Sequence, residues 1–264
     1  MNYYWDRYFS GWKGENAIGD ARTRNLYLPF IPERIKRSTT DQRFIIILRN
    51  PVQRAFSHWL WRYRLGLEVL PSEDAIYEDL RQIEKGITFD GEEGARLWHP
   101  LKFRTYLDSG CYSEQIRRYM ELFPVDRIRI VFLEDLSRNP QKVISELWAF
   151  LGVDSELKLV DTQPKNESPS LFAAKMHLRA SRAIALLPAR VRLKTRYRKY
   201  IKPRRALMSF LEKVGHLSHS VLDTFGSRLH LVSPSLEEFL KGYYYRYNRD
   251  LETIVKRDLS HWDE

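Results

Sequence analysis

The chain has 264 residues, a net charge of +10 from 44 Lys+Arg against 34 Asp+Glu, 43% hydrophobic residues and one cysteine. Such a length and apolar content bury a substantial core and exclude a chain disordered throughout. The single Cys111 excludes an internal disulfide framework and a cysteine-rich zinc module. No apolar run approaches the ~18 residues of a bilayer span, and Met1 to Lys13 is aromatic and polar rather than a secretory leader, so a cytoplasmic location is expected.

The first strong element is Arg43 to Leu48, a short continuous apolar run rich in Ile that predicts a strand buried on both faces of a parallel sheet. Asn50-Pro51 follows: Asn caps a helix, and Pro suits its first position. Val52, Ala55, Phe56, Trp59 and Leu60 then recur at helical spacing, carrying the helix to about Leu65, with Gly66 as its stop. A helix is predicted from Asp74 to Lys85, a loop from Gly86 to His99, and a helix from Tyr112 to Phe123 closed by Pro124. Arg127 to Leu133 reads as a second strand. Asn139-Pro140 opens a helix whose buried face is Val143, Ile144, Leu147, Trp148, Phe150 and Leu151, and Gly152 ends it. Strands alternating with helices in this way specify an α/β fold.

Beyond Pro164 the chain reads as helical and basic, with helices at Leu171 to Leu187, Leu207 to Leu222 and Leu236 to Ile254. From Ser168 to Phe210 there are 12 Lys or Arg and no Asp or Glu. Such a segment fits a polyanionic glycan, a nucleic acid or an anionic membrane surface, and equally a solvated basic helix face. No helix-turn-helix or RNA-binding signature accompanies it, so nucleic acid is the less expected partner, while peripheral membrane contact stays open. The Tyr-rich stretch from Tyr243 to Tyr247 suits helix packing better than a stacking platform. The histidines are scattered: His216 and His219 lack a completing ligand, and no metal site is expected.

The string with the most chemistry is Arg49-Asn-Pro-Val-Gln-Arg54-Ala-Phe-Ser57. A buried strand running into a helix N-terminus is the usual ligand crevice of an α/β sheet, and an arginine there offers a fork for a phosphate. The alternative is an arginine that caps a carbonyl and an ordinary helix serine. This string resembles the 3′-phosphate-binding motif of sulfotransferases that use 3′-phosphoadenosine 5′-phosphosulfate. Ser109-Gly-Cys-Tyr-Ser-Glu-Gln-Ile116 resembles the start of a later helix in that family. Ile130 to Leu136 with Asn139-Pro140 resembles its second strand and following loop, Phe150 to Val153 the end of the next helix, and Asp258-Leu-Ser-His-Trp262 the tail of bacterial and glycan-type members.

The resemblance covers about residues 1–165 and 234–264 and implies one sulfotransferase-like domain. Its parts would be an α/β core at 1–165, a variable basic helical segment at 166–233 and a C-terminal helix and tail at 234–264. It implies a P-loop-like parallel sheet flanked by helices, and a sulfuryl transfer from that donor, without metal, to a hydroxyl or amine acceptor, with a carbohydrate first in order. Arg49 and Ser57 would hold the donor's 3′-phosphate. Gly19 to Leu28 stands where glycan-type members carry Gly-Glu-x-Thr-Pro, whose Glu is the general base. That role passes to Asp20, one methylene shorter, with Arg22 and Arg24 beside the acceptor or the sulfuryl oxygens. Gly19-Asp20 as a simple turn is the alternative. The Lys-x-Gly-Thr loop that cradles the 5′-phosphosulfate in the family does not occur in the 264 residues. The expectation is therefore a chain whose N-terminal strand and loop are missing through truncation, with impaired transfer. The competing function is a catalytically impaired relative that binds polyanions.

Overall fold

A computed structural model describes residues 6–38, 41–64, 67–68, 70–86, 104–153 and 233–263. The two expected strands form: β1 (Phe44–Leu48) pairs in parallel with β2 (Ile128–Phe132), Phe44 opposite Ile128 and Leu48 opposite Phe132. Helices accompany them, and the α/β class with a parallel sheet flanked by helices is the observed one. The described part of the chain divides into two compact units, the first from 1–49 and 114–163, the second from 50–113 and 164–264.

The first unit contains α1 (Arg24–Tyr27), α2 (Ile31–Ser38), β1 and β2. It also holds α6 (Leu133–Arg138), α7 (Pro140–Leu151) and most of α5 (Tyr112–Met120). Strand residues two apart share a face, and β1 uses this unequally. Ile46 and Leu48 are buried, on the face where Phe44 packs against the rings of Tyr119 and Phe123 at 5.1 and 4.5 Å. Ile45 and Ile47 stay 37% and 54% exposed, so the strand is buried on one face rather than two. The covering rings come from one side, and an apolar run does not by itself say how many faces will be covered.

Helix α5 also fixes the segment that follows Asp20: Arg118 donates to the carbonyl of Tyr27 at 2.9 Å and Tyr119 to that of Asn25 at 2.6 Å. It ends at Met120, three residues before Phe123, because the amides of Leu122 and Phe123 both turn back to the Tyr119 carbonyl. Leu133 leaves the strand and opens α6, where the family resemblance implied a loop. Glu134 and Asp135 in its first turn face the positive end of the helix dipole. Helix α7 starts as expected, its Asn139 side chain accepting from the Lys142 amide at 3.2 Å, and Gly152 ends it in the left-handed conformation at φ 71.

The second unit contains α3 (Pro51–Arg64), α4 (Ser72–Glu84), the short turns Asp108–Gly110 and Ser260–Trp262, and α8 (Pro234–Val255). Its core joins Ala55 and Trp59 of α3, Ala75 and Ile76 of α4, Tyr106 and Leu107, and Leu236, Leu240 and Tyr244 of α8. Leu236, Leu240, Tyr244, Asn248 and Leu251 recur at the three- and four-residue spacing of one helix face. Each apolar side chain fully buried this way contributes about 1.5–3 kcal/mol. The tyrosine stripe is mainly packing: Tyr244 is buried, Tyr243 and Tyr247 lie against the core, and Tyr245 is exposed. Among the described residues no helix is long and apolar enough to cross a membrane. The helices expected at Leu171–Leu187 and Leu207–Leu222, the basic segment from Ser168 to Phe210, and His99, His216 and His219 lie outside the described residues.

Candidate functional site

Arg49 directly follows β1 in the first unit, and Ser57 sits in the second turn of α3 in the second; each is half-buried. Between them the first turn of α3 spends every backbone donor on its own cap. Pro51 has no N–H. The amides of Val52 and Gln53 donate to Asn50 Oδ1 at 2.9 and 3.2 Å, and that of Arg54 to the Asn50 carbonyl at 2.9 Å. The Asn50 cap thus already occupies the amides of the first turn. Asn50 is itself held, its Nδ2 donating to the Trp262 carbonyl at 3.2 Å. The C-terminal Trp262, 1% exposed, thus anchors the cap of the helix that carries Ser57.

Asp20 lies on a different kind of surface. Residues 10–24 are exposed throughout, and Phe9 just before them is half-buried. Asp20 forms an ion pair with Arg22 at 3.1 Å, and the Arg22 guanidinium rests 5.1 Å from the ring of Tyr8. Gly19 has no positive φ, and residues 17–22 form no assigned turn, so the Gly-Asp turn is not what the backbone adopts. Arg24 is exposed and opens α1. The structure therefore brings Asp20 and Arg22 together, with Arg24 one helical turn's start further along. Among the described residues, no group of three or more His, Cys, Asp or Glu could hold a metal ion. Cys111 is buried, with its thiol toward the Leu107 carbonyl at 3.8 Å.

Sequence reasoning missed a buried polar network in the second unit. Glu68, 2% exposed, receives Arg104 in a two-pronged contact: Nε to Oε2 at 2.8 Å and Nη2 to Oε1 at 2.9 Å. Tyr106 donates its hydroxyl to Glu68 Oε2 at 2.9 Å, and the Leu70 amide donates to Oε1 at 3.1 Å. Burial pushes the Glu68 carboxyl up, but these donors outweigh it and hold the group below the usual carboxylate range. Burial, reinforced by the Glu68 charge, pushes the Tyr106 hydroxyl far above the ordinary tyrosine range. Asp79, 1% exposed on α4, accepts from the Leu107 amide at 2.8 Å, and burial with the nearby Asp108 charge raises its carboxyl to about 7. The one signal in the sequence was the spacing of Arg54, His58 and Arg62, every fourth residue of the helix.

Comparison with known proteins bears on the stretch that holds Arg49 and Ser57. A family profile described as "Sulfotransferase domain" matches residues 24–180. The chain is 26% identical over 111 residues to a bifunctional heparan sulfate N-deacetylase/N-sulfotransferase 1 of Caenorhabditis briggsae, which covers 42% of the chain and 12% of that protein. It is 22% identical over 223 residues to the membrane-associated sulfotransferase kil1 of Dictyostelium discoideum, covering 60% of the chain and 47% of that protein. The chain thus spans at most about half the length of these curated relatives. In fold it is similar to the crystal structure of a sulfotransferase from Alicyclobacillus acidocaldarius, with a TM-score of 0.63 and 22% identity, over 100% of this chain and 74% of that one.

Proposed function

The chain belongs to the sulfotransferase family, and from that premise we propose that it moves a sulfuryl group from 3′-phosphoadenosine 5′-phosphosulfate to a carbohydrate hydroxyl or amine. The observation that carries this reading is the end of β1. Arg49 and the Ser57 helix both lie inside the matched stretch 24–180, and the first-turn amides of that helix are already engaged by Asn50. A 3′-phosphate there would be recognised by side chains: the planar fork of Arg49 takes two oxygens and the Ser57 hydroxyl a third.

On the acceptor side Asp20 acts as general base. The acceptor oxygen or nitrogen forms a bond to sulfur as the bond from sulfur to the phosphate oxygen breaks. Adenosine 3′,5′-bisphosphate leaves, and the acceptor proton passes to the Asp20 carboxylate. Arg22, already paired with Asp20, orients that carboxylate, and together with Arg24 offers charge to an acidic acceptor or to the sulfuryl oxygens. Asp20 and Arg22 precede the matched stretch, so their roles rest on the family resemblance and the observed ion pair. The carbohydrate acceptor is supported by the relatives named for heparan sulfate and by the 12 cations between Ser168 and Phe210. The same cations suit peripheral contact with an anionic membrane.

The test is transfer of radiolabelled sulfate from the donor to an oligosaccharide of alternating glucuronate and free-amine glucosamine, and to its N-acetylated, hydroxyl-only counterpart. Slow but detectable label in either sugar, with matching release of the bisphosphate, is expected, because the Lys-x-Gly-Thr loop that would hold the 5′-phosphosulfate does not occur in the 264 residues. No transfer to either sugar contradicts the carbohydrate reading.

A further inference from the structure

We infer that Tyr106 and Tyr244 are positioning residues that set the roll of helix α3, and so aim Ser57; this rests on the reading of Ser57 as a ligand of the 3′-phosphate. Arg54, His58 and Arg62 stand at intervals of four along α3 and form one stripe on its surface. All three reach the same residue. Arg54 Nη2 donates to the Tyr106 carbonyl, the His58 ring meets the Tyr106 ring edge to face at 5.0 Å, and Arg62 Nε donates to the Tyr106 hydroxyl at 3.0 Å. A helix held along two turns by main chain, ring and hydroxyl of one neighbour cannot rotate about its axis without breaking all three contacts. Ser57 directly precedes His58 and lies about 100° round the helix from it, so its direction is set by the same grip.

Tyr106 is in turn immobilised from the far side. Its hydroxyl donates to Glu68, which the Arg104 fork holds, and the residue is wholly buried. Tyr244 of α8 closes the arrangement. Its hydroxyl lies 3.0 Å from the carbonyls of both Tyr106 and Leu107, and accepts from Arg54 Nη2 at 3.4 Å. Gly110 makes room for that ring: a Cβ there would come within 2.6 Å of it. Of the three stripe residues only Arg54 falls inside the recognised phosphate-motif string, and it faces Tyr106 and Tyr244 rather than serving as a second phosphate fork.

The experiment is a double-mutant cycle on the full chain, read by calorimetry with adenosine 3′,5′-bisphosphate and with 5′-AMP. Tyr106→Phe removes the hydroxyl between Arg62 and Glu68, and Tyr244→Phe removes one of the two acceptors of Arg54. Each is expected to weaken the bisphosphate about 3- to 10-fold while leaving 5′-AMP unchanged. In a Ser57→Ala background the same substitutions are expected to change bisphosphate affinity less than 2-fold, because the group they aim is gone. Cooperative melting verifies that each variant is folded, and Tyr244→Phe, which keeps the Glu68 network intact, decides the matter if Tyr106→Phe does not fold. Equal losses with and without Ser57, or parallel losses for the bisphosphate and 5′-AMP, overturn the positioning role and leave the donor reading standing. A Ser57→Ala protein that keeps the full preference for the bisphosphate overturns the donor reading and this inference with it.

Discussion

The segment that carries Asp20 and the helix that carries Ser57 are built in opposite ways. Around Ser57 the helix is gripped at Arg54, His58 and Arg62, its cap is tied to Trp262, and its apolar face is in the core. Around Asp20 lie an ion pair with Arg22 and the Arg22 guanidinium over the ring of Tyr8, on an exposed surface. The contrast suits the proposed chemistry. On that proposal the nucleotide would meet a helix held in place beforehand, and the acceptor an exposed, charged surface.

The largest effect that can break this contrast is at Asp20. Asp20→Asn is expected to lower kcat about 10²- to 10⁴-fold in the labelled transfer assay, with bisphosphate affinity and melting temperature unchanged. Normal turnover would return Asp20 to an ordinary surface carboxylate. In the gripped region the expected loss is stability instead. Glu68→Ala strands the largely buried Arg104 and should cost about 3–5 kcal/mol in urea unfolding. A loss below about 1 kcal/mol, the range of exposed pairs, would erase the distinction between the regions.

A smaller effect sharpens it through pH. The Asp79 carboxyl is raised to about 7 in the folded protein, chiefly by burial. Between its ordinary value and about 7 the native state holds a proton that the unfolded chain has lost, so stability falls as pH rises through this window and levels off above it. Relative to Asp79→Asn, the unmodified protein should therefore lose about 2–3 kcal/mol of stability between pH 5 and pH 8. Identical pH profiles for the two proteins would show that Asp79 is not held in this way.

What could be read from the sequence was whatever the chain encodes locally. The run from Phe44 to Leu48, the Asn50-Pro51 and Asn139-Pro140 helix starts and the Gly152 stop each rest on neighbouring residues, and each appears in the structure. Arg49 and Ser57 could be singled out because their string is contiguous. The Tyr106 network could not, since its partners stand from 36 residues away, for Arg104 and Glu68, to 190, for Arg54 and Tyr244. Helix α6 was hidden for another reason: six residues with only Glu134 and Asp135 as a start signal look like a loop. The exposure of Ile45 and Ile47 depends on what packs against β1, and an unbroken apolar run carries no alternation that could report it.

The most direct measurement of the donor site is calorimetric titration of the full chain with adenosine 3′,5′-bisphosphate and with 5′-AMP, repeated for Arg49→Ala. On the proposed reading, Arg49 would make a charge-assisted contact to the 3′-phosphate worth about 1.5–3 kcal/mol. The unmodified protein should therefore prefer the bisphosphate by at least about tenfold, and Arg49→Ala should abolish that preference while leaving 5′-AMP binding as it was. Equal affinity of the unmodified protein for the two nucleotides would contradict the account.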